Sequence, residues 1–154
     1  MARDILDDFS VTEIELMYHN KLPASERFSV RSAETAYEIF LKSWDRNKID
    51  LVEQFKVMLL DTRCCCLGIS HISTGGIAHC LADPRLIFAA AIKGRATQII
   101  LAHNHPSGNL EFSEEDKRLT SKLVEGGKFL DIKIADHLVV TSNGFKSFAQ
   151  ELML

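Results

Sequence analysis

The sequence predicts an α/β fold in which helices flank a mixed β-sheet. Short apolar or alternating runs, which favour strands, alternate along the chain with longer segments of helical periodicity. Of the 154 residues, 46% are apolar and 25% are charged, which is typical of a globular protein. A chain of this length fits one compact domain that buries most of its apolar surface.

The first third of the chain is predicted to form a strand, a connector and a helix. Apolar residues alternate between residues 11 and 18, which favours a strand. Residues 21–30 contain a proline and many polar side chains, and are predicted to form a connector. Ser32 is a candidate N-cap for a helix that continues to about Trp44, because apolar residues follow it at helical spacing.

The middle of the chain predicts a hairpin and then a helix. Residues 53–60 form the next predicted strand, and residues 65–73 pair with it across a short polar turn at residues 61–63. Asp83 followed by Pro84 is a typical helix start, with an N-cap and then proline at the first helical position. Gly94 is expected to end that helix.

The last third continues the alternation. Residues 97–103 predict a buried strand, and Ser113 begins a helix that two glycines, Gly126 and Gly127, should stop at residue 125. Residues 132–140 predict another strand, followed by a turn at residues 142–144. A short helix over residues 146–152 is expected to end the chain.

Two histidines at the end of the buried strand indicate a metal site. Side chains alternate along a strand, so His103 and His105 project from the same face. Neutral imidazole is a common zinc ligand. Pro106 and Gly108 then turn the chain, and the following helix start would return the carboxylate of Asp116 towards the histidines. Two nitrogens and one oxygen are typical of a catalytic zinc site with three protein ligands.

Simpler interpretations of the same residues remain open. A His-x-His spacing alone is more often an accident of composition than a metal site. Ser113 and Asp116 also match a capping box, in which a hydroxyl at the N-cap and an acid three residues later only begin a helix.

The whole pattern resembles a known family. His103-x-His105-Pro106-x-Gly108, followed by Ser113-x-x-Asp116, resembles the JAMM signature of the JAB/MPN metalloproteases. The fuller string of residues 103–109 resembles the RadC branch of that superfamily. The resemblance extends over about residues 49–148, with similar residues at Leu59-Leu60-Asp61, Ser73-Thr74-Gly75-Gly76, Asp83-Pro84-Arg85 and Asp136-His137-Leu138-Val139.

The resemblance implies a fold, a cofactor and roles for individual residues. It implies a JAB/MPN-like domain with cytidine-deaminase-like layering over residues 49–154, to which the strand and helix of residues 1–48 would be added. It implies one Zn²⁺ held by His103, His105 and Asp116, with Ser113 donating a hydrogen bond to the oxyanion. It also implies an upstream catalytic glutamate, for which Glu53 is our candidate.

Glu53 fits that role by its place on the predicted strand. It continues the face that carries Phe55, Val57 and Leu59, so its carboxylate points towards the interior, where it needs a partner. The alternative is that Glu53 lies in solvent at a frayed strand end.

These residues favour a zinc-dependent hydrolase that acts on a peptide or isopeptide amide. The alternative is a non-catalytic metal-containing binding module or an accessory protein of DNA repair. A zinc nucleobase deaminase would need His-x-Glu and a downstream Pro-Cys-x-x-Cys, and neither occurs in the sequence.

Charge and hydropathy limit the expected partners. The net charge of −3 and the lack of a basic run predict only weak or indirect binding to nucleic acid. We also expect this chain to lack the helix-hairpin-helix region of longer RadC-like proteins, which would supply such binding. Apolar runs fall far short of the about 20 residues that span a membrane. Residues 1–9 lack the pattern of a secretory signal, so we expect a cytoplasmic protein.

The remaining reactive side chains carry weaker patterns. The four cysteines, Cys64, Cys65, Cys66 and Cys80, form no Cys-x-x-Cys pair and are expected to be reduced thiols. Adjacent Asp136 and His137 are either partners of a metal ligand or satisfied core residues. The other histidines, His19, His71 and His79, are expected at the surface or in loops.

Overall fold

The computed structural model describes residues 14–76 and 80–154, and within them it has a five-stranded mixed sheet and three α-helices. The sheet order is β2-β1-β3-β4-β5, with β3 and β4 parallel and the other neighbouring pairs antiparallel. The predicted α/β fold with helices flanking a mixed sheet is therefore confirmed. The elements are α1 (Ala33–Ser43), β1 (Gln54–Leu60), β2 (Cys66–Thr74), α2 (Pro84–Lys93), β3 (Gln98–Asn104), α3 (Glu114–Phe129), β4 (Lys133–Thr141) and β5 (Gly144–Ser147).

Two apolar cores lie on the two faces of this sheet. Alternation along β1 sends Met58 and Leu60 to the face that α1 covers with Phe40. Phe55 and Val57 lie on the opposite face, against α2 and α3. All seven residues of β1 are buried, since helices cover it on both sides. The candidate metal ligands lie on the face shared with α2 and α3.

The predicted helix starts match the structure. The side chain of Ser32 accepts a hydrogen bond from the Thr35 N–H at 3.2 Å, so it caps α1 as expected. Asp83 caps α2 in the same way, with Pro84 at the first helical position and Gly94 after the last. The hairpin of β1 and β2 also has its predicted turn, in which the Asp61 carboxylate accepts two backbone N–H groups.

The prediction that Gly126 and Gly127 stop the third helix at residue 125 is wrong. α3 continues through both glycines to Phe129. A Cβ on Gly127 would overlap the carbonyl oxygen of Ile132, and one on Gly126 would lie 3.0 Å from the Phe88 ring. The two glycines therefore serve close packing inside the helix and not its termination.

The predicted terminal helix over residues 146–152 is also wrong. The turn after β4 is tight, so β5 pairs back along β4 with Thr141 opposite Gly144. The end of β5 and the chain that follows it are fixed by the buried Asp136 carboxylate, which accepts from the Ser147 hydroxyl at 2.6 Å and the Ala149 N–H at 3.0 Å. Edge pairing and this anchor outweigh the helical propensity of a short segment.

Of the predicted strand over residues 11–18, the structure describes residues 14–18, and these do not form a strand. Residues 14–18 are irregular and exposed, with Ile14 86% accessible, and residues 11–13 lie outside the described residues. The alternation finds no neighbouring strand to pair with in the described part of the chain.

None of the four cysteines is disulfide-bonded, as expected. No helix of the described residues has the length and apolarity to cross a bilayer.

Candidate metal centre

His103 and His105 lie side by side at the carboxyl end of β3. β3 lies between β1 and β4, with Phe55 opposite His103 on one side and Val139 on the other. His105 follows the strand, but its N–H still donates to the Val140 carbonyl at 3.0 Å. This pairing keeps the alternation intact, so the two Nε2 atoms are 3.1 Å apart.

Asp116 reaches the histidines from the first turn of α3. Ser113 and Asp116 form a full capping box: the Ser113 hydroxyl accepts the Asp116 N–H at 3.0 Å, and Asp116 Oδ2 accepts the Ser113 N–H at 2.8 Å. The Oδ1 atom of Asp116 lies 3.1 Å from His103 Nε2, and Oδ2 lies 4.0 Å from His105 Nε2. The helix start thus holds the carboxylate against both imidazoles.

These three side chains fit a metal ion. Their donor atoms all lie within 4.8 Å of one another. Tetrahedral zinc with bonds of about 2.0–2.1 Å places its ligand atoms about 3.3 Å apart, close to the separations of 3.1, 3.1 and 4.0 Å found here. His103, His105 and Asp116 therefore form a group that could bind a metal ion.

The charge state of Asp116 suits a ligand. Burial alone would raise the pKa of Asp116, but hydrogen bonds from His103 and Ser113, with the nearby His103 charge, hold it well below its usual range. The carboxyl group is therefore ionised over the physiological range. An ionised carboxylate is the form that binds a divalent cation.

His137 of β4 contacts the back of the candidate ligand His103. Its Nε2 lies 2.8 Å from His103 Nδ1, and its Nδ1 lies 2.7 Å from the Thr120 hydroxyl. Burial holds the pKa of His137 well below its ordinary value, and the charge of His103 acts in the same direction. Its neighbour Asp136 points to the other face, where burial raises its pKa despite the donors from Ser147 and the backbone. Of this pair, only His137 contacts a candidate ligand.

Glu53 and Ser113 line the same cavity as the three candidate ligands, with a volume of about 920 Å³. Glu53 precedes β1 instead of opening it, and it is half-buried. Continuing the β1–β3 register by two residues beyond the pair of Phe55 and His103 brings Glu53 opposite His105. Alternation then places its side chain on the face of the histidines.

Sequence reasoning missed two residues that support the site. Asn104, fully buried between the two histidines, donates to the carbonyls of Ile49 and Val52 and accepts the Gln54 N–H at 2.7 Å. It thereby fixes the segment that carries Glu53. Thr120 is the other, and its place one turn after Asp116 was the available signal.

The remaining histidines behave as expected where they are described. His19 is exposed in an irregular segment, and His71 is exposed on β2, 2.9 Å from the Thr74 hydroxyl. His79 lies outside the described residues.

The fold and the site together define a JAMM-like α/β domain with a His-His-Asp group on one face of its sheet. The chain belongs to the family of the RadC-like JAB domain, whose model matches residues 30–153. The match begins before α1, so this helix is part of the family domain. The resemblance seen in the sequence motif is confirmed.

Relatives of similar sequence come from diverse bacteria. A UPF0758 protein of Cyanothece sp. (strain PCC 7425) is 46% identical over 102 residues, which are 66% of this chain and 42% of the relative. A UPF0758 protein of Flavobacterium johnsoniae is 41% identical over 99 residues, 64% of this chain and 43% of the relative. A UPF0758 protein of Symbiobacterium thermophilum is 40% identical over 103 residues, which are 67% of this chain and 44% of the relative. The matched segment thus spans less than half the length of these relatives.

Proposed function

We propose that this chain is a zinc-dependent hydrolase that cleaves a peptide or isopeptide amide. One observation carries the proposal: the donor atoms of His103, His105 and Asp116 converge in a cavity that Glu53 and Ser113 also line. Amide hydrolysis needs a metal ion that activates water, a general base and a hydrogen-bond donor to the oxyanion, and these residues could supply all three.

His103, His105 and Asp116 would hold the ion. Zinc bound by three protein ligands supplies Lewis acidity, which lowers the pKa of water from about 15.7 towards about 7 and polarises a carbonyl group. The ligand set favours zinc, since two imidazole nitrogens and one carboxylate oxygen are typical of catalytic zinc sites.

Glu53 is the proposed general base. Its carboxylate would take a proton from the attacking water and pass it to the nitrogen of the leaving amine. Its side chain lines the same cavity as the three candidate ligands, which is where this transfer would take place. The amide bond breaks as the nitrogen is protonated, and the products are a carboxylic acid and an amine.

Ser113 is the proposed donor to the oxyanion. Its oxygen accepts the Asp116 N–H as part of the helix cap, which uses a lone pair and leaves the hydroxyl hydrogen uncommitted. The hydroxyl can therefore donate to the developing negative charge while it caps α3. Capping and catalysis are compatible at this residue.

The competing proposal is a binding module that keeps the metal group without turnover, including an accessory role in DNA repair. Zinc content does not separate the two proposals, because both include the ion. Turnover does, because only the hydrolase needs Glu53 as a base.

The test is cleavage of a library of linear peptides and lysine-linked isopeptides by the zinc-loaded full chain, followed by mass spectrometry. We expect cleavage that a chelator abolishes, that zinc restores and that His103→Ala lacks. Stoichiometric zinc with no cleavage across the library would favour the binding module.

A further inference from the structure

We infer that Thr120 and His137 form a hydrogen-bond relay that fixes the tautomer of His103 and turns its Nε2 towards the metal group. The inference deepens the proposed function and rests on the proposed metal site. It assigns Thr120 and His137 as positioning residues, because neither reaches the cavity.

The relay begins with a hydroxyl whose single hydrogen is already committed. Thr120 Oγ1 lies 2.6 Å from the carbonyl oxygen of Asp116, one turn earlier in α3. A carbonyl oxygen only accepts, so the Thr120 hydrogen must lie on this contact. Towards any other neighbour, Thr120 Oγ1 can therefore act only as an acceptor.

His137 must then donate through Nδ1. Its Nδ1 lies 2.7 Å from Thr120 Oγ1, which can only accept there. The ring is fully buried and stacks on Phe148 at an interplanar angle of 11° with centroids 4.9 Å apart. A neutral imidazole carries one hydrogen, and in His137 the contact with Thr120 places that hydrogen on Nδ1. Its Nε2 consequently carries a lone pair.

That lone pair decides which ring nitrogen of His103 carries the hydrogen. His137 Nε2 lies 2.8 Å from His103 Nδ1, so His103 must donate through Nδ1. Any hydrogen that Nε2 donates to the Asp116 carboxylate in the metal-free protein is the one that a cation would displace, so Nε2 is the nitrogen left to take the cation. It faces Asp116 Oδ1 at 3.1 Å and His105 Nε2 at the same distance.

His105 reaches the same state by a separate contact. Its Nδ1 lies 2.6 Å from the carbonyl oxygen of Asn109, an acceptor only, so this nitrogen carries the hydrogen. Both histidines thus present Nε2 to one point, but only His103 depends on the relay. Loss of the relay should weaken one ligand and leave the other in place.

The relay also connects two ligands through α3. Asp116 and Thr120 lie one turn apart on this helix, so the same element holds one ligand directly and orients another through His137. Such contacts to a ligating histidine fix its tautomer and raise its basicity, and their loss typically costs about 10–100-fold in metal affinity.

The first test needs no metal. In the ¹⁵N-labelled chain, two-bond ¹H–¹⁵N correlation spectra report which ring nitrogens carry hydrogen. We expect hydrogen on Nδ1 of both His103 and His137 and a bare Nε2 on His137. Hydrogen on His137 Nε2 would overturn the relay, whether or not the protein binds zinc.

The second test measures zinc affinity by competition with a chromophoric chelator. We expect Thr120→Val to lose about 10–100-fold and Thr120→Ser, which keeps the hydroxyl, to stay near the wild type. Thr97→Val is the matched control, since it removes a buried hydroxyl for which the described residues offer no hydrogen-bond partner.

The outcomes separate the two proposals. Wild-type affinity in a folded Thr120→Val variant would overturn the relay and leave the metal site standing. If the wild-type chain binds no zinc, the proposed metal site fails, and the spectra still decide the tautomer of His137.

Discussion

The backbone N–H of Ser113 donates to Oδ2 of Asp116 at 2.8 Å, while Oδ1 of the same carboxylate lies 3.1 Å from His103. The sequence pattern offered a helix cap and a metal ligand as alternative interpretations of this pair. In the structure, the cap is what orients the carboxylate towards the histidines. The helix N-terminus also favours the negative charge of Asp116. The same capping box therefore begins α3 and orients a candidate metal ligand.

We predict one zinc ion per chain, held by His103, His105 and Asp116. Elemental analysis of the purified protein should give a ratio near one for the wild type. His103→Ala and Asp116→Ala should lose most of this zinc, because each removes one of only three protein donors. His71→Ala is the control, since His71 is an exposed histidine on β2 outside the group. Full retention of zinc in both ligand variants would contradict the assignment.

We predict that Glu53→Gln keeps zinc and fold but loses turnover by about 10²–10⁴-fold, because an amide cannot accept the proton. The measurement is the cleavage rate of the best library substrate, with zinc content and circular dichroism for each variant. Glu38→Gln on α1 is a matched control, since Glu38 does not line the cavity. Unchanged turnover would move the role to another acid of the cavity, Glu111 or Glu115.

Ser113→Ala should show two separable losses. Removing the N-cap oxygen should lower the free energy of unfolding by about 1 kcal/mol, measured by urea denaturation. Removing the hydroxyl donor should lower the cleavage rate by about 10²–10³-fold. Ser113→Thr keeps the oxygen and its hydrogen and should largely restore both. A stability loss with unchanged cleavage would leave Ser113 as a cap alone.

Much of the site was predictable because its parts are local in sequence. His103 and His105 follow from strand alternation, and Asp116 follows from a helix start that the capping pattern marks. For His137 the sequence left two interpretations open, a partner of a metal ligand or a core histidine, since its contact with His103 depends on the parallel pairing of β3 and β4 across 34 residues. The only signal was a polar Asp136-His137 pair within an apolar strand.

The errors in the fold also have physical causes. Alternation in residues 14–18 predicted a strand, but a strand forms only where a neighbour supplies hydrogen bonds. The segment after β4 has helical character, but pairing of β5 along the sheet edge and the Asp136 anchor decide its conformation. Local propensity cannot encode either of these long-range contacts.

Gly127→Ala should destabilise the domain by about 1–3 kcal/mol, because the added methyl meets the Ile132 backbone, which cannot move aside freely. Gly126→Ala is the matched comparison in the same helix. There the methyl meets only the Phe88 ring, and alanine is the better helix former by about 1 kcal/mol. Urea denaturation of both variants is the measurement. Equal effects would contradict the packing role assigned to Gly127.

The last prediction concerns DNA. The chain has a net charge of −3 without a basic run, and the cavity of the His-His-Asp group is lined by three glutamates, Glu53, Glu111 and Glu115, beside Arg118. The negative net charge gives phosphates little attraction, so we predict weak, salt-sensitive duplex binding, at or beyond the weak end of the about 10⁻⁴–10⁻⁶ M typical of non-specific binding. Fluorescence anisotropy with a labelled duplex at two salt concentrations measures this affinity.

Glu115→Lys should bind more tightly at low salt, because it replaces a repulsive charge with an attractive one. Submicromolar binding by the wild type that persists at the higher salt would contradict the prediction and favour a direct role on DNA. Weak binding that salt abolishes would leave a peptide or protein amide as the better substrate for the cavity.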